Sequence, residues 1–306
     1  MGISGEAFKF FYDRARPANS VWVFLNNPLR SAANALGFRH DIRFCETRDE
    51  ALESLERTLR EDKRSVIIPC GETFPLVHPD GTVETDDLAD APAFDDVVKR
   101  WSANEGFLEL GLFGFYYFTL GERDREPKPR EVFLGSFRRA MKIAKAYRRV
   151  RGCAIGLQAY DELAAILSAK RDLDRIAPSE PARIASWNVV ASRVLLDSRR
   201  AAILFLGESL EAFPEEEEST AVTKAIRLYE RVVAALTRLV ETHPRLHDGL
   251  SERLGLVDAE PDKGALRQFY RECRRAALYV ERARVYEDRA CDELQNVINI
   301  SEKTKM

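Results

Sequence analysis

VWVFLNNPLRSAANALGFRHDIRFC, residues 21–45, decides the reading of the first half of the fold. Val21 to Leu25 is short, β-branched and aromatic, which predicts a buried strand. Asn26-Asn27-Pro28 turns into a helix over Leu29–Leu36, with Gly37 as its stop. Ile42 to Cys45 predicts a second strand. Asp49 then caps a helix to about Asp62 whose inner face carries Leu52, Leu55 and Leu59. Val66 to Ile68 makes a third strand that Pro69-Cys70-Gly71 ends. The order β-α-β-α-β implies a mainly parallel sheet with its ligand site beyond the strand ends. That edge carries Asn26, Asn27 and Cys70, the first candidate ligand-binding residues.

The segment VFLNNPLRSAANALG resembles the first strand, acidic pair and first helix of response-regulator receiver domains, over residues 20–70 only. Asn26 and Asn27 stand where that family carries metal-binding acids, and Pro69-Cys70 where it carries the phosphoacceptor aspartate. The resemblance therefore implies a doubly wound unit that neither binds magnesium nor accepts phosphate as the family does.

Further along, His78-Pro79-Asp80-Gly81 between β-prone residues predicts a hairpin. Asp86 to Asp96 reads as an acidic loop, Val97 to Asn104 as a short helix around Trp101, and Phe107 to Leu120 as one or two buried strands. The charged, proline-containing ERDREPKPR, residues 122–130, is the predicted boundary between an α/β domain, 1–125, and a helical domain, 131–306.

The helical part opens with SFRRAMKIAKAYRRVR, residues 136–151. As one helix it aligns Ala140, Ile143, Ala144 and Tyr147 on an inner face and Arg138, Lys142, Lys145 and Arg149 on the opposite one. No acid falls between Glu131 and Asp161, so these four cations are the second candidate site, for an anionic ligand. The structural alternative is neutralisation by Asp86–Asp96 or Glu215–Glu218.

Further helices are expected over Leu157–Ile176, Ala182–Phe213, Thr220–Thr242 and Ala265–Ile298. In the last, Leu266, Phe269, Cys273, Ala276, Val280, Ala283, Glu287, Ala290, Leu294 and Val297 recur every three or four residues, an apolar seam with one charged member. Its small residues favour burial within its own bundle over a free zipper. Arg and Tyr also recur along this helix, but Glu272, Glu281, Glu287 and Asp288 are interleaved, which predicts salt-bridged solvated faces.

The 306 residues carry a net charge of −3, which excludes a generic nucleic-acid coat and makes any anion binding local. No apolar run reaches the length of a membrane span. Five widely spaced cysteines without a CxxC fit reduced thiols in the cytoplasm. His243 and His247 with Asp248 lack a further ligand, so no metal is expected; no cofactor motif occurs. No catalytic motif decides whether the chain is an enzyme.

Three function classes stand on these residues. The first is a cytoplasmic regulatory or interaction protein whose basic helix takes a nucleotide, a nucleic acid or an acidic protein partner. The second is an enzyme acting on a phosphorylated or nucleotide substrate at the strand ends. The third is the stalk-bearing, self-associating part of a larger assembly.

Overall fold

Side chains from Phe38 to Arg43 alternate between half-buried and exposed, as a strand with one covered face requires. In the structure, a computed structural model, this is strand β2, Phe38–Cys45, preceded by β1, Phe11–Tyr12, and α1, Pro28–Leu36. Described are residues 8, 10–12, 28–68, 75–84, 93–102, 115–146, 149–150, 153–168, 179–247 and 263–303. The chain divides into two compact units, one of Leu29–Pro127 and one that joins Met1–Pro28 to Lys128–Met306.

In the first unit β2 leads into α2, Arg48–Arg60, capped by Thr47 rather than Asp49: the Thr47 hydroxyl accepts from the Glu50 N–H at 3.2 Å. Then follow β3, Ser65–Ile67; β4, Leu76–Val77; β5, Val83–Glu84; α3, Phe94–Ser102; and β6, Phe115–Arg123. The β4–β5 hairpin forms where Asp80-Gly81 predicts it, with Gly81 at φ +85°. The strand order is β2-β6-β3-β4-β5, and every neighbouring pair is antiparallel.

That corrects the expected mainly parallel sheet. β2 and β3 do run the same way on either side of α2, but β6 inserts between them and pairs antiparallel with both, Ile42 and Ile67 each facing Phe118. β6 brings nine residues to the ladder against three in β3, so it offers β2 far more backbone partners. The predicted first strand, Val21–Leu25, and with it Asn26 and Asn27, lies outside the described residues, as does Cys70. The helix face of the sheet buries Val66, Val77, Val83 and Tyr117 against Leu55, Leu59 and Trp101. The Tyr117 hydroxyl is satisfied there by Ser54 at 2.7 Å and Thr58 at 2.9 Å.

The second unit is mainly helical: α4, Pro129–Ala144; α5, Leu157–Ser168; α6, Ser179–Ser209; α7, Glu216–His247; and α8, Lys263–Lys303. Strands β7, Arg149–Val150, and β8, Cys153–Ile155, complete an antiparallel sheet of order β1-β8-β7. The aromatic N-terminal segment packs into this unit, Phe8 edge-on to Tyr229 and Phe10 edge-on to Tyr160. The α8 seam is buried within its own chain, from Cys273 through Ala276, Val280, Ala283, Ala290 and Leu294 to Val297. At ~1.5 Å per residue the 41 residues of α8 extend about 60 Å. No helix among the described residues is long and apolar enough to cross a membrane.

Gly156 joins three parts of this unit. Its N–H donates to the Phe10 carbonyl at 2.8 Å, its φ is +60°, and a Cβ there would fall inside the carbonyl oxygens of Ile143 and Ala144 at the end of α4. Left-handed backbone and overpacking each cost on the order of 1–3 kcal/mol, so Gly156→Ala is expected to destabilise this unit by about 2–6 kcal/mol. A urea melt followed by far-UV circular dichroism measures it; an unchanged midpoint would show that this crossing is not tight.

Candidate functional site

The cation row of residues 138–149 is the first candidate to place. Pro129, at the first helical position behind Lys128, starts α4 well before Ser136. The helix ends at Ala144, so Arg138 and Lys142 lie on it, Lys145 caps it, and Arg149 belongs to β7. The single stripe of four is therefore not built. α8 answers two of its members: Arg138 Nη2 donates to Glu302 Oε1 at 2.9 Å, and Lys145 Nζ to Asp292 Oδ1 at 2.7 Å. The Asp292 carboxylate, hydrogen-bonded to Lys145, holds that ammonium above its ordinary pKa. Lys142 is exposed. Among the described residues the acids that answer this row thus sit on the C-terminal half of α8, not in Glu215–Glu218; most of Asp86–Asp96 lies outside the described residues. Glu218 is instead buried and takes Arg130 at 2.5 Å, with the Ser301 hydroxyl also donating to it.

A second cluster lies wholly inside the helical unit. Arg199 on α6 reaches Glu287 on α8 through two parallel bonds, Nε to Oε2 at 2.7 Å and Nη2 to Oε1 at 2.5 Å. The Tyr160 hydroxyl on α5 donates to the same carboxylate, and the Arg199 guanidinium lies 5.9 Å from the Tyr160 ring centre. Arg199 and Glu287 side chains are 0% and 1% exposed, so the pair is closed to solvent. Burial pulls the Arg199 guanidinium down, but the Glu287 carboxylate and Tyr160 more than offset this and hold it above its ordinary value. Burial likewise pushes the Tyr160 and Tyr229 phenols well above theirs. Such a cluster fixes the register of three helices; its groups are occupied by one another.

What remains open is the outward face of α8. At ~100° per residue, Arg267, Arg271, Arg274, Arg275, Arg282 and Arg289 fall within one third of the helix circumference around Leu278. All six arginines are exposed, as are Leu278 at 54% and Val285 at 43%. Among the described residues, Arg267, Arg271, Arg275, Arg282 and Arg289 make no ion pair, and Arg274 bonds only to the Tyr270 carbonyl. Glu281 is the single acid on this face before Asp292. Among the described residues the interleaved acids give this helix one salt bridge of its own, Arg284 with Asp288, and none to the six arginines of this face. Glu287 points into the core, Glu272 bonds Gln268, and Asp288 sits 3.9 Å from Arg284, which also pairs with Asp161 at 2.7 Å. Guanidinium groups left unpaired in this way keep their full capacity for bidentate bonds to an anion.

Among the described residues no group of three His, Cys, Asp or Glu side chains is placed to hold a metal ion. α7 runs to His247, through Pro244. Among the described residues Cys45, Cys153, Cys273 and Cys291 are buried and in no disulfide. No protein-family model matches the chain, and no curated protein is similar to it.

Breaking a buried pair leaves an uncompensated charge, so Glu287→Leu and Arg199→Met are each expected to cost about 3–5 kcal/mol. Arg199→Met with Glu287→Leu should cost much less than the two single losses together. Urea denaturation of the four proteins measures the coupling, and simple additivity would deny the pair its role.

The buried thiols add a pH dependence. Burial, with Glu272 assisting, pushes the Cys273 thiol up to about 12, and burial raises Cys291 in the same direction. In the unfolded chain thiols titrate near ~8.5. Above that pH the unfolded chain loses protons that the folded chain keeps. Stability is therefore complete below ~8.5 and falls as pH rises, by up to ~1.4 kcal/mol per unit for each thiol. Denaturation midpoints from about pH 7 to 10 should decline, and less steeply in Cys273→Ala; equal slopes would contradict the burial of this thiol.

Proposed function

We propose that this chain is a cytoplasmic interaction protein in which the helical unit is a fixed scaffold and the outward face of α8 binds an anionic macromolecule. One observation carries the reading: five exposed arginines of this face have no ionic partner among the described residues, while cations of α4 are answered by α8 itself. Unanswered like charges on a rigid surface repel one another and are relieved by a polyanion. A row of this kind also steers association, because its field extends about a Debye length, ~8 Å at physiological salt, beyond the surface. Buried thiols outside any disulfide suit a reducing compartment.

Burial of the α8 seam supports a scaffold over a self-associating stalk. For an enzyme acting at the strand ends, support would have to come from Asn26, Asn27 and Cys70, which lie outside the described residues.

The test compares two pairs of charge reversals, Arg275→Glu with Arg282→Glu on α8 and Lys142→Glu with Lys145→Glu on α4. Binding of fluorescein-labelled poly(L-glutamate) and of a labelled RNA of about 20 nucleotides is followed by anisotropy at roughly 50 and 200 mM salt. The α8 reversal should weaken binding at least ~10-fold and flatten its salt dependence. The α4 reversal should leave most of the binding and lower the melting temperature slightly, since an exposed pair such as Lys145–Asp292 is worth at most about 1 kcal/mol. Equal binding by wild type and the α8 variant would refute the assignment.

A further inference from the structure

We infer that the anionic partner of the α8 face is an acidic amphipathic protein helix that lies along it. This rests on the reading that the face binds an anion, and adds what kind. Arg271, Arg275, Leu278, Arg282, Val285 and Arg289 follow one another at intervals of four, three, four, three and four. That 3.5-residue repeat is the one that keeps a seam facing a second helix laid alongside. α8 thus carries two seams: an inner one, buried in its own unit, and this outer one, exposed.

The two aliphatic members select the class of partner. Leu278 and Val285 are 54% and 43% exposed and two turns apart, about 10 Å along the axis. They stand between the arginines, on the midline of the charged face. A phosphate backbone offers such side chains nothing apolar and would leave them wet or desolvate its own charge against them. A helix with an aliphatic residue every seventh position would cover both, and Asp or Glu flanking those positions would reach the guanidinium groups. A second copy of this face is excluded as the occupant, because it would set arginine against arginine. The backbone of the docking side is already ordered, since the Arg199–Glu287 pair and the packed seam hold α8, and only its side chains lose freedom on binding. Arg271 to Arg289 spans about 27 Å, so a partner helix of roughly 20 residues matches the row.

The probes are a synthetic peptide of about 21 residues with leucine every seventh residue flanked by glutamates, a shuffled peptide of the same composition, and an RNA of about 20 nucleotides. Anisotropy at roughly 150 mM salt is read for wild type, Leu278→Ser/Val285→Ser, and Arg275→Glu/Arg282→Glu. Wild type should bind the patterned peptide at least ~10-fold tighter than the shuffled one and tighter than the RNA. Leu278→Ser/Val285→Ser should remove that preference and leave the weaker binding of shuffled peptide and RNA in place. Both positions are exposed, so an unchanged melting temperature shows that the variant is folded. Equal binding of the two peptides, a preference that survives loss of both aliphatics, or tighter binding of RNA would overturn this inference and leave the anion-binding reading standing. If Arg275→Glu/Arg282→Glu changes binding of none of the three probes, the anion-binding reading falls as well.

Discussion

The buried pair of Arg199 and Glu287 is the constraint on which the helical unit turns. Either charge alone in that core would cost several kcal/mol, so α6 and α8 are held to the one register in which the two meet. Because Glu287 is a member of the α8 seam, this also fixes the rotation of α8 about its axis. Turning α8 by one residue, ~100°, would take Glu287 away from Arg199 and carry part of the guanidinium-bearing face inward. The pair therefore decides which residues of α8 are presented outward as well as which are buried. Tyr160 adds α5 to the same point, and Phe10, packed on Tyr160, ties in the N-terminal segment.

Charge in this unit is divided by helix face rather than by sequence segment. The C-terminal half of α8 supplies Asp292 and Glu302 to α4, and Ser301 beside Glu218 and Arg130. On its outward face the N-terminal half presents arginines with one acid, Glu281, among them. These pairs stabilise little individually where they are exposed, but they settle which of two basic helices has cations left over. A chain with a net charge of −3 can in this way carry a strongly cationic surface without being basic overall.

Much of the helical unit is legible in the sequence. The α8 seam follows from its spacing, including its single charged member; in the other unit the Asp80-Gly81 hairpin follows from its turn residues. Arg199 carries a usable signal too: it stands four residues after Leu195 and three before Ala202, in line with buried apolar positions, and a cation there requires a buried acid like Glu287. The outer face of α8 is hidden by sequence order, in which acids interleave with the arginines; on the helix those acids occupy other angles. The start of α4 is obscured because Pro129 has the look of a linker residue yet opens the helix. The sheet escapes the sequence for a different reason. Local pattern identifies strands, and alternation with helices suggests their direction. Nothing within residues 38–68 reports that a strand beginning at Phe115 enters between β2 and β3.

The two buried clusters also determine how the outer face behaves. Glu287 meets Arg199 near the middle of α8, and Ser301 joins Glu218 and Arg130 at its end, about 21 Å further along at ~1.5 Å per residue. A helix pinned at one height can still pivot. Pinning at two heights, with Ala290, Cys291 and Leu294 packed between them, removes both rotation and tilt. A long exposed helix normally bends toward its core and varies its curvature. One held in this manner keeps the backbone positions that carry its outward side chains in a fixed relation. A surface whose recognition depends on a 3.5-residue repeat needs that constancy. A drift of one residue would bring Tyr279 and Tyr286, or Ala277 and Arg284, to the midline in place of Leu278 and Val285. The groups least accessible to a partner are thus the ones that make the accessible face specific.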